Sequence, residues 1–307
     1  MAIEDFIQFS NTTYTYPVLS WEIDDAGNPI MQKPVFQNFT ANLQGEFVSL
    51  VGPNASGKST LMLLASGRLC PQEGSIKLFG EDTKQFFTPQ EFDTGKGFNI
   101  TLDVANPQTE TKKNLLASFV YQNMEFQTDD KVGLLLENVF ANGGYGEGAS
   151  ILNTQHPTIQ KDFFDQVIKV AQLDSVLNKK LNGISKGETQ RVLYAFSLLY
   201  GSRSIFMDEP FFAMEPKQKE SVLDFLRNYS IEQNIPVYIS MHELDLSKKY
   251  AQKILLFYPN RDLDYGSPEE VLTKEALEKS YGVPVAMLKD AESLTRKNIV
   301  EKSKISE

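Results

Sequence analysis

Residues 52 to 60 read Gly52-Pro53-Asn54-Ala55-Ser56-Gly57-Lys58-Ser59-Thr60, directly after the apolar run Phe47-Val48-Ser49-Leu50-Val51 and directly before an apolar-rich stretch that starts at Leu61. The pattern G-x-x-x-x-G-K-[ST] between a buried strand and a helix is that of a phosphate-binding loop. Gly52 and Gly57 let the backbone turn tightly and approach an anion with no side chain in the way. The helix beginning near Lys58 presents unpaired N–H groups at its positive end. Lys58 is expected to reach the β and γ phosphates of a nucleoside triphosphate and the Ser59 hydroxyl to ligate Mg2+, with Thr60 in the first helical turn.

Such a loop alone leaves GTPases, kinases and motor ATPases open. Ser204-Ile205-Phe206-Met207-Asp208-Glu209-Pro210 is an apolar strand ending in two carboxylates. Beside a triphosphate, two acids at a strand end divide the work: Asp208 holds Mg2+, and Glu209 orients or deprotonates the attacking water. The plainer reading is a solvated acidic turn. In Ile184-Ser185-Lys186-Gly187-Glu188-Thr189-Gln190-Arg191, Ser185 and Glu188 make a capping box at a helix start. The Ser185 hydroxyl and the Gly187 N–H also make a second anion site, and the two readings are compatible. His242 follows one apolar strand and Gln122 closes another; singly, each is only a polar residue at an element end.

The elements that must position these groups alternate along the chain. Phe6 to Tyr16 reads as an edge-like strand ended by Pro17, and Asp24 to Pro29 as a hairpin or loop. Val35 to Leu43 resumes the alternation before a turn at Gly45-Glu46. Gly74 to Phe79 is a short strand, and 81–113 reads as a long polar surface excursion, partly disordered. Leu115 to Tyr121 is a strand, followed by helical segments from Val132, at Asp162 to Leu173 and at Glu188 to Leu199. Then come the strand Ser204 to Met207, a helix over Gln218 to Tyr229, the strand Pro236 to Ser240 and a helix at Leu244 to Tyr250. Strands alternating with helices give an α/β fold with a parallel sheet, whose ligand sits at the C-terminal strand ends. Residues 289–307 read as a charged tail.

The 307 residues are 41% hydrophobic, enough for a well-buried core and, by length, about two domains. Lys and Arg number 30 against 40 Asp and Glu, a net charge of −10, so no basic field is available for nucleic acid or an anionic bilayer. A polyphosphate must therefore be held by local geometry. The single cysteine, Cys70, excludes an intramolecular disulfide and a cysteine-rich zinc site. The start MAIEDFIQFS lacks the pattern of a signal peptide, and apolar stretches such as Val192 to Tyr200 fall short of a membrane span. The expectation is a cytoplasmic chain.

Taken in order, GPNASGKST, Gln122, ISKGETQR, IFMDEP, AMEP and His242 resemble the ATP-binding subunit of ABC transporters, over residues 3 to 285. The resemblance implies a P-loop NTPase fold: a RecA-like core with an antiparallel β edge, residues 1–122 and 201–288, around an inserted helical subdomain, residues 123–200. It also implies a head-to-tail pair in which each ATP lies between the phosphate loop of one subunit and the signature segment of the other. Gln122 then links Mg2+ to the membrane half, and Ser185 and Gly187 contact γ-phosphate in trans. Asp208 is the Mg2+ carboxylate, Glu209 the catalytic base, His242 a γ-phosphate hydrogen-bonding residue, and Tyr16 the aromatic that stacks on adenine. For Tyr16, a strand aromatic packing on its neighbours is the other reading.

The implied partners are a second copy or a paired ATPase subunit, integral membrane permease subunits and a solute-binding protein, with no nucleic acid. The implied location is the inner face of the cell membrane. The segment from Tyr265 to Leu272, with Tyr281-Gly282-Val283, resembles the end of iron-chelate and vitamin B12 importer ATPases. Several residues depart from the family pattern. The usual L-S-G-G-Q carries Ile184, Lys186 and Glu188, and T-S-A-L-D is Phe211-Phe212-Ala213-Met214-Glu215. Ala55 stands where Gly is common, which reads as a mild change. A soluble ABC-type ATPase and a non-hydrolysing nucleotide-dependent scaffold are the alternative functions.

Overall fold

In the computed structural model the described residues are 3–17, 33–93, 99–122, 124, 128–151, 162–285 and 287–288. The Asp24–Pro29 loop and the 289–307 tail of the sequence reading lie outside them. The strand β1 (Ile3–Tyr14) turns Ile7, Phe9 and Tyr14 inward and pairs antiparallel with β2 (Phe36–Gly45). One residue later β3 (Phe47–Val51) begins, and all five of its residues are buried. Burial on both faces requires an uninterrupted apolar run and covering layers above and below. The helix α1 (Lys58–Ala65) supplies one of them by burying Leu61, Met62, Leu64 and Ala65.

The strand β4 (Glu73–Leu78) returns to the far side of β1, and β5 (Glu81–Asp82) extends that antiparallel sheet. The described residues of 81–113 are not an unstructured excursion. They hold an antiparallel hairpin, β6 (Phe87–Asp93) and β7 (Asn99–Ala105), and the start of a helix, α2 (Glu110–Leu116). Ile100, Leu102 and Val104 do alternate along β7, a strand signal that the sequence reading passed over among the polar residues, prolines and glycines around it. The strand expected over Leu115 to Tyr121 is accordingly shorter. Leu115 and Leu116 finish α2, and β8 covers Ser118–Val120. Arg68 fixes the junction by donating to Asn114 Oδ1 at 3.0 Å and the Ala117 carbonyl at 2.9 Å.

Three helices follow before the next central strand: α3 (Val132–Asn142), α4 (Phe163–Val170) and α5 (Lys186–Leu199). They pack through Leu136, Val167, Val192 and Leu198 into the same apolar cluster as the central sheet. The chain then runs through β9 (Ile205–Asp208), α6 (Pro216–Gln233), β10 (Val237–Ser240), α7 (Leu244–Tyr250), β11 (Lys253–Phe257) and β12 (Leu263–Gly266), and closes with α8 (Pro268–Val271) and α9 (Lys274–Tyr281). The six-stranded sheet has the order β12-β11-β3-β10-β9-β8, parallel except for its edge strand β12. The sequence reading passed over β11 and β12. Lys253 to Phe257 is five residues long, and its central position is visible only once β3 is beside it.

This order places the C-terminal ends of β3, β10 and β9 side by side, a topology that gathers distant residues at one edge. A second apolar cluster joins the antiparallel sheet to the central one. In it Phe206 stacks between Phe6 and Phe119, each centroid 6.4 Å away.

Candidate active site

The loop from Gly52 to Gly57 leaves the C-terminal end of β3 and enters α1. Its backbone is extreme at Gly52 (φ +146°) and left-handed at Ala55 (φ +61°) and Gly57 (φ +108°). A Cβ at Gly52 would lie 2.8 Å from the Phe257 carbonyl oxygen. Ala55 is therefore not in a tolerant position. An L-residue in the left-handed region bears roughly 1–2 kcal/mol of strain, which the glycine common here would avoid.

Lys58 Nζ donates to the carbonyls of Gly52 at 2.8 Å and Pro53 at 2.9 Å. Burial lowers its pKa, with the charges of Glu209 and Asp208 working in the opposite direction. Ser56 Oγ is buried without a hydrogen-bond partner. An ammonium stripped of water and an orphaned hydroxyl, set in a loop of positive-φ residues, fit an incoming oxyanion.

Asp208 ends β9 and Ser240 ends the adjacent β10, directly opposite in register. Ser240 Oγ donates to Asp208 Oδ1 at 2.6 Å and accepts the Glu209 N–H at 2.9 Å. Glu209 itself adopts a left-handed φ of +48°. Gln122 Nε2 donates to Glu209 Oε2 at 2.6 Å, and His242 Nε2 to Glu209 Oε1 at 2.6 Å. The bond to Glu209 raises the His242 pKa above its ordinary value, against the effect of burial. Glu243 pairs with the buried Lys219 at 2.5 Å and ties the turn after His242 to α6.

The sequence reading missed Ser240, Lys219 and Glu243. A serine at a strand end carries no spacing signal, and an ion pair between two helices has none either.

Tyr16 lies two residues past the end of β1 and is not a strand residue. Its hydroxyl is 3.0 Å from Thr60 Oγ1, and its ring meets Tyr14 edge-on at 5.1 Å. At the other flank Ser185 caps α5: its Oγ accepts the Glu188 N–H at 3.3 Å, and Glu188 Oε2 accepts the Ser185 N–H at 2.7 Å. Gly187 faces the Ala213 carbonyl, and a Cβ there would lie 3.1 Å from its oxygen.

One cleft of about 1810 Å³ is lined by the loop residues Gly52–Ala55 and Gly57–Thr60, and by Tyr16, Gln122, Ser185, Gly187, Glu209 and His242. Asp208 is 8% exposed beneath it. No group of three or more His, Cys, Asp or Glu among the described residues could hold a metal on its own. Mg2+ suits such a place differently. It takes hard oxygen ligands and uses one or two protein groups together with phosphates, and Ser59 and Asp208 supply such oxygens.

Fold and site define a P-loop nucleoside triphosphatase with a RecA-like core and an inserted helical region. The family pattern described as "ABC transporter" matches residues 37–212. The hemin import ATP-binding protein HmuV of Escherichia coli O157:H7 is 25% identical over 252 residues, 80% of this chain and 85% of that protein. The petrobactin import ATP-binding protein FpuC of Bacillus anthracis is 26% identical over 269 residues, 87% and 89% of the two chains. The dimeric structure of the bacterial ABC transporter cassette MJ0796 superposes with a TM-score of 0.62 at 20% identity, covering 85% of this chain and 98% of that one. The chain belongs to the ABC transporter family, as the ATP-binding, ATP-hydrolysing component that works through separate membrane subunits. No helix among the described residues is long and apolar enough to cross a membrane.

Proposed function

We propose that the chain powers import of a metal chelate or another small solute by closing and reopening a head-to-tail pair of ATPase subunits. The N–H groups of 52–60 and Lys58 hold the triphosphate, and Tyr16 stacks on adenine. Ser59 and Asp208 hold Mg2+ with Gln122 beside them, and the ion when bound neutralises phosphate charge. Glu209 orients the attacking water and accepts its proton, while Gln122 and His242 fix the two carboxylate oxygens. His242 also turns to γ-phosphate once it is present. Ser185 and Gly187 approach the γ-phosphate bound to the other subunit.

In this reading, residues 1–122 and 201–288 form the ATP-binding core and 123–200 the signature subdomain. The subunit sits on the cytoplasmic face of a membrane, against permease subunits served by a solute-binding protein. The importer relatives, hemin and petrobactin ATP-binding proteins, support this direction and cargo class.

The observation that carries the reading is the convergence of Gln122 and His242 on the two oxygens of Glu209, each at 2.6 Å, beside the phosphate loop. The test is Mg·ATP turnover of Glu209→Gln against wild type. A loss on the order of 10²-fold or more, with ATP retained, is expected for removal of the base. Equal, measurable turnover would overturn Glu209 as the base, whereas no turnover in either chain would favour a non-hydrolysing nucleotide-dependent scaffold.

A further inference from the structure

Lys186 occupies the first helical position of α5, between the cap Ser185 and Gly187, and lines the same cleft as the phosphate loop. Its residue is exposed, and its ammonium lies 5.9 Å from the centroid of the Phe212 ring. A cation within about 6 Å of an aromatic face is held there without being neutralised. The neighbouring acid is already committed. Glu188 Oε2 accepts the Ser185 N–H, and Glu188 Oε1 accepts from Lys179 Nζ at 3.2 Å. Hydrogen bonding to Ser185 lowers the Glu188 pKa, so it stays a carboxylate and stays local. Ser185 Oγ accepts from Glu188 N–H, which leaves the hydroxyl hydrogen to donate outward. The face that α5 offers to the cleft thus combines a hydroxyl donor, a helix N-terminus and, beside the Phe212 ring, an ammonium that forms no ion pair among the described residues.

We propose that Lys186 is a phosphate-binding residue that acts in trans. Its ammonium contacts the γ-phosphate of the ATP held on the phosphate loop of a second copy of this chain, and the Phe212 ring positions it. The substitutions at Lys186 and Phe212 then form one device: the ring holds the ammonium where the family's glycine would leave space. The proposal rests on the head-to-tail reading given above. It predicts that closure responds to the third phosphate and to ionic strength more steeply than hydroxyl and backbone donors alone would allow.

The test uses the full chain with Glu209→Gln to prevent turnover, and measures ATP-dependent association by sedimentation over a series of ATP and NaCl concentrations. Adding Lys186→Ala should raise the ATP concentration needed for half-association by tenfold or more, and flatten the salt dependence. ATP affinity of the dilute single chain should be unchanged. Lys186→Arg should restore association and Phe212→Ala should weaken it partly, whereas ADP should not distinguish the variants. Unchanged association of the Lys186→Ala chain would overturn the Lys186 role alone. Absence of any ATP-dependent association in the parent Glu209→Gln chain would overturn the head-to-tail reading, and this role with it.

Discussion

The two flanks of the cleft are built differently. On the phosphate-loop flank, function is written into the backbone: Gly52 at φ +146° under the Phe257 carbonyl, Glu209 at φ +48°, and a lysine bonded to its own loop. On the signature flank, function is written into side chains at a helix start with ordinary dihedrals, capped by Ser185 and Glu188. A backbone constraint admits few residue types. A capped helix end admits any side chain that does not break the cap, and Lys186 and Glu188 depart from the family pattern there without strain, whereas the departure at Ala55 on the loop flank carries a left-handed backbone.

The sharpest way to break this comparison is to place the same methyl group on each flank. Gly52→Ala puts a Cβ 2.8 Å from a backbone oxygen in a backbone region that L-residues avoid, and should cost about 3 kcal/mol or more in chemical denaturation. Gly187→Ala places its Cβ 3.1 Å from the Ala213 oxygen within a helix, where Ala is the better helix former, and should change stability by less than about 1 kcal/mol. Its effect should appear instead in ATP-dependent association. Equal destabilisation by both would contradict the distinction.

A smaller effect concerns the His242–Glu209 pair. The folded-state pKa of His242 is raised, so the pair's contribution to stability is complete below the unfolded-state value near about 6.5 and is lost as pH rises through the folded value. Wild type should therefore lose stability relative to His242→Ala across that interval, as read from denaturation midpoints at a series of pH values. Parallel pH profiles would remove the pair from the account.

The sequence made the chemistry legible and left its supports hidden. Gly52 to Thr60, Gln122, Asp208, Glu209 and His242 are singled out by type and order, and the structure lines one cleft with all of them except the buried Ser56 and Asp208. The buried strands β3, β9 and β10 and the helix α5 were equally readable, because apolar runs and caps are local, whereas the five-residue β11 was passed over. Ser240 was not readable. Its bridge between Asp208 and Glu209 exists only through the pairing of β10 with β9. The hairpin β6–β7 was readable in part and overlooked, since Ile100, Leu102 and Val104 alternate along β7 while Pro89 interrupts β6. Ala55 was misjudged because strain at φ +61° is a property of the folded loop, not of alanine.

The central claim is that the phosphate loop is half of a site completed by another copy of the chain. Asn54 and Phe212 are both exposed and both line the cleft. One preparation would carry Cys70→Ser, Glu209→Gln and Asn54→Cys, and the other Cys70→Ser, Glu209→Gln and Phe212→Cys. Oxidised together with ATP, they should give a disulfide-linked product of twice the chain mass, and neither preparation should do so alone. No such product in the ATP-containing mixture, or an equal yield from either preparation by itself, would contradict the shared site.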